Sequence, residues 1–411
     1  MKTRAEAATL ILSLGLTGFV VMADNWVVSP ILPSIAGSIG STPIRAAILI
    51  PAYMLPFGLL QLFYGPLADR YGKLKVLWAA MIGFTVACGL TAMGASLTSL
   101  TVYRALTGAF AAAANPVSLA LIGDTMRPED RQSAIGSFLG ISFLGQGLSM
   151  GVGGAIAYFV GWHGVFATYA AFSVVVTVLL IGYSRRLSIS GNPHSQIIAP
   201  YRALLTNGPS LRTYLVLMAE GALVIGSFSF LGAFLSRQFA MNNLGIGLVM
   251  TGFGIATIVA GRLSGAVARR IGQKRTVLVG LLLAALGNLL IFATGGTLAV
   301  VVLAIALFGG GFMLAHSTLV ALANNFAPKA RGAAMSLVAV CFMGSGGAGT
   351  VLGGRLITGA GFTGLYGLCA LLLALLAGVA FFAIDTSQPP IENGPTSKSW
   401  TQGQAVSSRG R

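Results

Sequence analysis

Nine acidic side chains in 411 residues make every carboxylate inside an apolar run conspicuous. Two of them, Asp24 and Glu220, fall within such runs, and the rest fall in loops, helix ends or tails. A carboxylate at the centre of a bilayer-spanning helix costs about 2.5–3.5 kcal/mol on insertion scales, so its retention calls for a partner or a task. The natural task is to take up and release a proton, because burial and neighbouring charge shift a carboxyl group's titration. Ser13, Thr17 and Asp24 share one helical face, Thr213, Glu220 and Ser227 share another, and Arg104 and Asn115 a third. Polar stripes of this kind are expected to line a wet cavity rather than face lipid. By depth, Asp24 pairs with Arg104 in the outer half of antiparallel spans, and Glu220 falls in the inner half with His316. Asp24, Arg104 and Glu220 are therefore the proton-coupling candidates. The plainer alternatives are a fixed Asp24–Arg104 salt bridge and a hydrogen-bonded packing role for His316.

Trp26, Tyr53, Phe57, Phe228 and Phe230 have the ring chemistry to pave a cavity for an apolar or cationic substrate, by stacking and cation–π contact, with Asn115 and His316 as its polar members. Met22, Met54 and Met313 are adaptable linings or filler. Cys88, Cys341 and Cys369 all sit in apolar runs without metal-ligand spacing, so neither a disulfide framework nor a metal site is expected. Gly147-Leu-Ser149-Met-Gly151 matches the G-x-S-x-G nucleophile pattern literally, but that pattern works only on a sharp strand-to-helix turn, and here it lies in a Gly-rich helical run. An enzyme is not expected. No phosphate-binding G-x-x-x-x-G-K-[ST] loop occurs, so no nucleotide cofactor is expected and an ion gradient is the natural energy source.

These groups need membrane-spanning elements to position them. The chain is 55% hydrophobic and 8% charged, with a mean hydropathy of +0.86, far from a soluble domain's make-up. Apolar runs of bilayer-spanning length predict helices at 7–33, 44–66, 74–96, 98–123, 132–159 and 163–183, then at 211–239, 244–267, 275–295, 297–323, 333–358 and 362–384. The expected fold is an all-α membrane protein of twelve transmembrane helices in two six-helix bundles related by a parallel repeat. Residues 1–183 form the first bundle, 184–210 a cytoplasmic linker, 211–384 the second bundle and 385–411 a disordered cytoplasmic tail. The net charge of +16 does not indicate nucleic acid, because the basic residues recur in short clusters at every second loop. This is the positive-inside pattern, and it places both termini in the cytoplasm of a multi-pass protein in the inner (plasma) membrane.

The halves align at a fixed offset. Gly65-Pro-Leu-Ala-Asp69-Arg70-Tyr-Gly72 lies two hundred positions before Gly265-Ala-Val-Ala-Arg269-Arg270-Ile-Gly272, and Pro128, Arg131, Gly153 and Gly154 precede Pro328, Arg331, Gly353 and Gly354 by the same interval. With Lys73-Leu-Lys75 completing the loop after helix two, the chain resembles the major facilitator superfamily. That resemblance implies alternating access to a site between the halves near the membrane midplane, surrounded by helices one, four, seven and ten. It also implies that Gly65, Asp69, Arg70, Gly72 and Lys73 act as a conformational latch; the second copy departs by carrying Arg269 where Asp69 stands. Tyr103-Arg104-Ala-Leu-Thr-Gly108, followed by Asn115-Pro116, resembles the helix-four motif of proton-coupled drug exporters. Helix five keeps the antiporter-associated Gly145, Gly153 and Gly154, but has Ser149 and Met150 where a Gly-Pro pair is expected.

The resulting expectation is a monomeric secondary transporter in the lipid bilayer that exchanges protons for a small-molecule substrate, exporting amphipathic compounds or drugs. Asp24 would release its proton as substrate enters, and Arg104 would tune that step. A proton symporter, or an exporter of a specific metabolite such as a sugar or amino acid, is the alternative.

Overall fold

The computed structural model describes residues 4–184, 198–294, 296–326 and 331–384; the expected tail at 385–411 and residues 185–197 of the expected linker lie outside them. Ten helical spans follow in order: α1 Glu6–Trp26, α2 Pro43–Tyr71, α3 Lys73–Ala92, α4 Leu97–Thr125, α5 Ser133–Phe159, α6 Trp162–Tyr183, α7 Gly208–Phe239, α8 Asn243–Ile271, α9 Gln273–Ala293 and α10 Leu298–Phe326. The next apolar stretch, Gly332–Ala383, has 52 residues, more than twice the roughly 20 that cross a bilayer. It breaks at Gly361, where φ is 70°. A Cβ placed on Gly353 would stand 3.3 Å from a Leu365 methyl, so the chain folds back on itself there. The two arms are α11 (332–360) and α12 (362–383), and the described residues form twelve spans.

Local sequence explains where the spans begin and end. Thr42 caps α2 with Pro43 behind it, Ser96 and Ser99 close a reciprocal capping box before α4, and Asn207 and Asn242 cap α7 and α8. Gly72 (φ 98°) and Gly272 (φ 86°) end α2 and α8, while Gly161 (φ 87°) and Gly361 (φ 70°) turn the chain after α5 and α11. A side chain resists this left-handed backbone, so glycine holds these corners. Each pair is two hundred positions apart, so the repeat read from the sequence is also a repeat of turns.

Four spans are interrupted, α2 at Ala47–Ile48 between Pro43–Ala46 and Leu49–Tyr71 and three others. α1 breaks at Val27 and resumes as Val28–Ser38, and α7 breaks at Ser229 and Phe230 before Leu231–Phe239. α4 loosens at Ala112–Ala113, four residues before Pro116, whose missing N–H leaves the Ala112 carbonyl without its helical partner. The α1 and α7 breaks meet: the Ser29 hydroxyl donates to the carbonyls of Phe228 at 2.9 Å and Ser229 at 3.2 Å, and Gly232 packs on the Ser29 backbone.

Between the halves, α5 crosses α8 and α2 crosses α11, two contacts related by the repeat. The first is backbone on backbone, with Gly147 and Gly151 on α5 against Gly254 and Gly247 on α8, and Gly154 against Gly247. The second sets Gly58 against the α11 backbone at Val340 and Gly344, where α11 widens into a π-helical turn over Val340–Gly344. Small residues allow this approach, because in lipid helices associate by close packing rather than by hydrophobic exclusion. The outer faces carry large exposed apolar side chains such as Leu59, Phe63, Leu215 and Phe382, as surfaces solvated by lipid require.

Within the stretch expected as linker, Ile198–Thr206 form a helix. Leu204 is buried, and the Tyr201 hydroxyl donates to the Leu62 carbonyl at 3.4 Å. Tyr201 and Leu204 are three apart, so they share a face on which a segment polar in overall composition docks against α2.

Candidate functional site

A cavity of about 410 Å³ lies between the two bundles, with α1, α2, α4 and α5 on one side and α8, α10 and α11 on the other. Gly136 and Leu139 near the start of α5, Met335 near the start of α11 and Arg262 near the end of α8 belong to its wall. Those ends adjoin the loops holding Arg127 and Arg269 to Arg275, so the cavity reaches toward the basic face. The opposite face is shut by the α5–α8 glycine crossing and by Ser29 on the α7 break. The molecule is thus open toward one side and closed on the other.

Of the residues expected to pave the cavity, Trp26, Phe57, Asn115 and His316 line it. Tyr53, Phe228 and Phe230 do not. Tyr53 stacks on Phe57 behind the wall and donates its hydroxyl to the Val21 carbonyl at 3.3 Å. Phe228 lies edge-on to Trp26, centroids 4.9 Å apart, as a second layer. Phe230 sits at the closed face, its ring within 3.4 Å of the position a Gly354 Cβ would take. Met22 and Met313 line the wall, whereas Met54 is buried outside it. Sequence reading missed Gln61, Gln146, Arg262 and the rings Phe143, Phe312 and Phe342, all of which line it. Gln61 stands as the lone amide in its apolar run and Gln146 as the lone amide among the serines of its own, a signal available from sequence; the phenylalanines give none.

The polar stripes behave differently from expectation. Ser13, Thr17, Thr213 and Ser227 are buried and none lines the cavity. Each hydroxyl donates back to a carbonyl four residues earlier in its own helix, at 2.8–3.1 Å. A serine or threonine satisfied this way needs no water and can face a neighbouring helix.

Asp24 and Arg104 meet. Arg104 Nη1 donates to Asp24 Oδ2 at 2.6 Å and Nη2 to the Asp24 carbonyl at 3.2 Å. The pair is enclosed by the first bundle, Asp24 at 0% and Arg104 at 1% exposure. The guanidinium lies over the Tyr53 ring, 4.4 Å from its centroid, and 5.5 Å from that of Phe166, while the Cys88 thiol points to Asp24 Oδ1 at 3.6 Å. Neither charge lines the cavity. Glu220 is equally buried, but its partner is not: His316 Nδ1 stands 2.9 Å from Glu220 Oε2 while His316 forms part of the cavity wall. The second oxygen, Glu220 Oε1, is buried without a hydrogen-bond partner among the described residues.

At the basic face, Lys73 bridges two carboxylates, Asp69 Oδ1 at 2.9 Å and Asp124 Oδ2 at 2.7 Å. This ties the loop after α2 to the end of α4, inside the first bundle. Arg70 lies over its neighbour Tyr71, and Gly72 supplies the left-handed turn. Gly65 is mid-helix, and a Cβ there would meet no atom within 4 Å. Gly65→Ala is therefore expected to keep or raise the melting temperature, since alanine favours a helix interior by about 1 kcal/mol. It is also expected to slow transport, as the latch role that the family resemblance implies for Gly65 requires. Unimpaired transport by this variant would make Gly65 an ordinary helix residue.

Ser149 sits mid-helix in α5, buried, its hydroxyl donating to the Gln146 carbonyl at 2.9 Å, without the strand-to-helix turn that exposes a nucleophile. Among the described residues no group of His, Cys, Asp and Glu is arranged to hold a metal.

Comparison with known proteins agrees with this architecture. The MFS-type transporter YceJ of Bacillus subtilis is 26% identical over 269 residues, covering 64% of this chain and 68% of its own. The puromycin resistance protein pur8 of Streptomyces alboniger is 33% identical over 144 residues, 35% of this chain and 29% of its own. Citrate exporter 1 of Aspergillus niger is 27% identical over 192 residues, 46% of this chain and 37% of its own. The crystal structure of a bacterial homologue of the human lysosomal transporter Spinster, inward-facing and unoccupied, superposes with a TM-score of 0.76 at 16% identity, covering 93% of this chain and 98% of that one. The family model of the Major Facilitator Superfamily matches residues 14–236 and again 214–410. Two bundles repeated at a fixed offset, a cavity between them and a family match to each half make this chain a member of the major facilitator superfamily, a multi-pass membrane transporter of small molecules.

Proposed function

We propose that the protein is a proton-coupled secondary transporter of the plasma membrane, with both termini cytoplasmic, that carries an amphipathic compound by alternating access. The observation that supports this reading best is the Glu220–His316 pair: a protonatable dyad with one member in the cavity wall and the other sealed behind it. A coupling group has to sense both cargo and proton, so it must touch the cavity. His316 does, with Nδ1 engaged on Glu220 and the rest of the ring against Phe312 and Phe342. Glu220 Oε1, buried without a partner, offers a second place for a proton. Asp24 and Arg104 serve in this reading as a strut that binds α1 to α4, not as the coupling site.

Alternating access then uses the two interfaces between bundles. In the conformation described, the α5–α8 glycine crossing closes one face while the basic face stays open. Rocking the bundles in the other sense would part α5 from α8 and bring the loop after α2 toward the second bundle, the step for which the latch residues Asp69, Arg70 and Lys73 are suited. A membrane potential supplies about 2.3 kcal/mol per charge per 100 mV to such a cycle.

The coupling assignment is tested in proteoliposomes loaded with a pH indicator, using naphthalene-bodied probes that carry a carboxylate, an ammonium or a hydroxyl. Whichever probe the wild type accumulates under a pH gradient, Glu220→Gln and His316→Gln are expected to equilibrate it without accumulation and without proton movement. Retained gradient-driven accumulation in Glu220→Gln would sink the assignment. Export of drugs against protons, the expectation from the helix-four resemblance, is the second reading, favoured by the likeness to a puromycin resistance protein.

A further inference from the structure

The cavity wall has an uneven charge census. Arg262, exposed near the end of α8, is its one fixed charge, and no aspartate or glutamate belongs to the lining. No carboxylate pairs with Arg262 among the described residues. The other titratable member is His316. Three further lining side chains, Trp26, Gln61 and Gln146, each leave an N–H group, Nε1 or Nε2, buried without a protein partner, and all three are at most 4% exposed. Asn115 leaves its Oδ1 unpartnered, and the amides of Gln61, Asn115 and Gln146 can each turn to offer either N–H or oxygen, so Trp26 Nε1 and the Arg262 guanidinium are the groups that can only donate. Surplus donors and one unpaired guanidinium, with no carboxylate among them, are what a carboxylate ligand requires. The rest of the wall is apolar, with Phe57, Phe143, Phe312 and Phe342 around the same space.

We infer that the cargo is an anionic amphiphile, an organic carboxylate on an apolar body, held between Arg262 and His316, and that it enters together with the proton of the Glu220–His316 dyad rather than in exchange for it. The inference rests on the cavity being the cargo site proposed above. The sign of coupling follows from charge. Without a proton the dyad carries one negative charge, and with one proton it is neutral. A carboxylate in the cavity therefore binds better to the protonated dyad, and by reciprocity the proton binds better when the carboxylate is present.

No other charge reverses that sign. α7 brings Glu220 to the dyad, and α10 brings His316 and Phe312. α11 brings Phe342, its ring centroid 4.3 Å from that of His316. α8 contributes Arg262 to the wall, and α1, α2, α4 and α5 line it with groups that do not titrate, Trp26, Gln61, Asn115 and Gln146 among them. Asp24 and Arg104 neutralise each other behind α1 and α4. A cationic cargo would compete with the proton and give exchange; a carboxylate gives proton–anion symport.

The test compares naphthoate, naphthylmethylammonium and naphthylmethanol binding to the full-length protein by titration calorimetry and thermal shift. Naphthoate is expected to bind about tenfold or more tighter than the other two. Its affinity is expected to fall as the pH rises and the dyad loses its proton, while that of the alcohol stays level. Arg262→Gln should erase the preference for naphthoate and keep the alcohol's affinity, which shows the cavity intact. Glu220→Gln should flatten the pH dependence. Tighter ammonium binding, equal binding of all three, binding of none, or naphthoate affinity that rises with pH would each overturn the inference. Accumulation that survives Glu220→Gln would instead strike the coupling assignment and leave the anion preference standing.

Discussion

Asp24→Leu made alone is expected to destabilise the purified protein by about 3–5 kcal/mol, because it leaves a guanidinium buried and uncompensated. Arg104 is 1% exposed, its Nε already lacks a partner among the described residues, and Tyr53 and Phe166 close over its face, so the guanidinium is shielded from solvent. Combining Asp24→Leu with Arg104→Met removes both charges and fills similar volume, a change that elsewhere is often neutral or stabilising. The double variant should therefore recover most of the lost melting temperature. It should also retain gradient-driven transport, as a strut replaced by apolar packing would. Recovered stability with coupling abolished would return the coupling proton to Asp24, where the helical stripe and the exporter resemblance had placed it.

Gly254→Leu is expected to have the largest effect on conformation. A Cβ at Gly254 would run into the Gly147 carbonyl and stand 2.7 Å from the Gly147 Cα, and backbone atoms cannot swing aside as a side-chain tip can. Overpacking of this kind costs about 1–3 kcal/mol, and under the alternating access proposed above the cost falls on one conformation, the one in which the α5–α8 crossing is closed. A bias of about 1.4 kcal/mol shifts a two-state population tenfold. A cysteine introduced at Val320, in the cavity wall on α10, should accordingly react with a water-soluble maleimide about tenfold less in the Gly254→Leu background, with transport lost and the protein still folded. The native Cys88, Cys341 and Cys369 are buried, so they add little background. Unchanged labelling would mean that the crossing is not the closing surface.

Several elements of the chain were legible without coordinates because the bilayer imposes a strong and local rule. A helix must satisfy its own backbone and present apolar side chains for some twenty residues, so each expected span coincides with a helix, and the offset of two hundred carries over into paired turns at Gly72 and Gly272 and at Gly161 and Gly361. The pairing of Asp24 with Arg104 was also readable, and Glu220 and His316 could be placed at one depth, since depth in a span follows from counting residues at a fixed rise.

The ordering of layers around the cavity was not legible. A helical face tells which residues point together, but not whether they meet water, lipid or a neighbouring helix, and Ser13, Thr17, Thr213 and Ser227 turned out to be satisfied by their own backbone. Tyr53, Phe228 and Phe230 have the same composition signal as Trp26 and Phe57, yet lie behind the wall or at the closed face. The helix at Ile198–Thr206 escaped notice because its apolar side is only a few residues wide and is stabilised by docking on α2, a contact no local window contains.

By itself, then, the sequence determined the number of spans, the repeat that relates the halves, and which few charges the membrane had to tolerate, because each follows from the cost of placing a group in hydrocarbon. Only the tertiary structure decided which of those charged groups reaches the cavity between the bundles. Asp24 and Arg104 close on each other inside one bundle, while His316 reaches the space between bundles and holds Glu220 behind it; that difference arises from how helices from both halves converge, and depth along a single helix does not encode it.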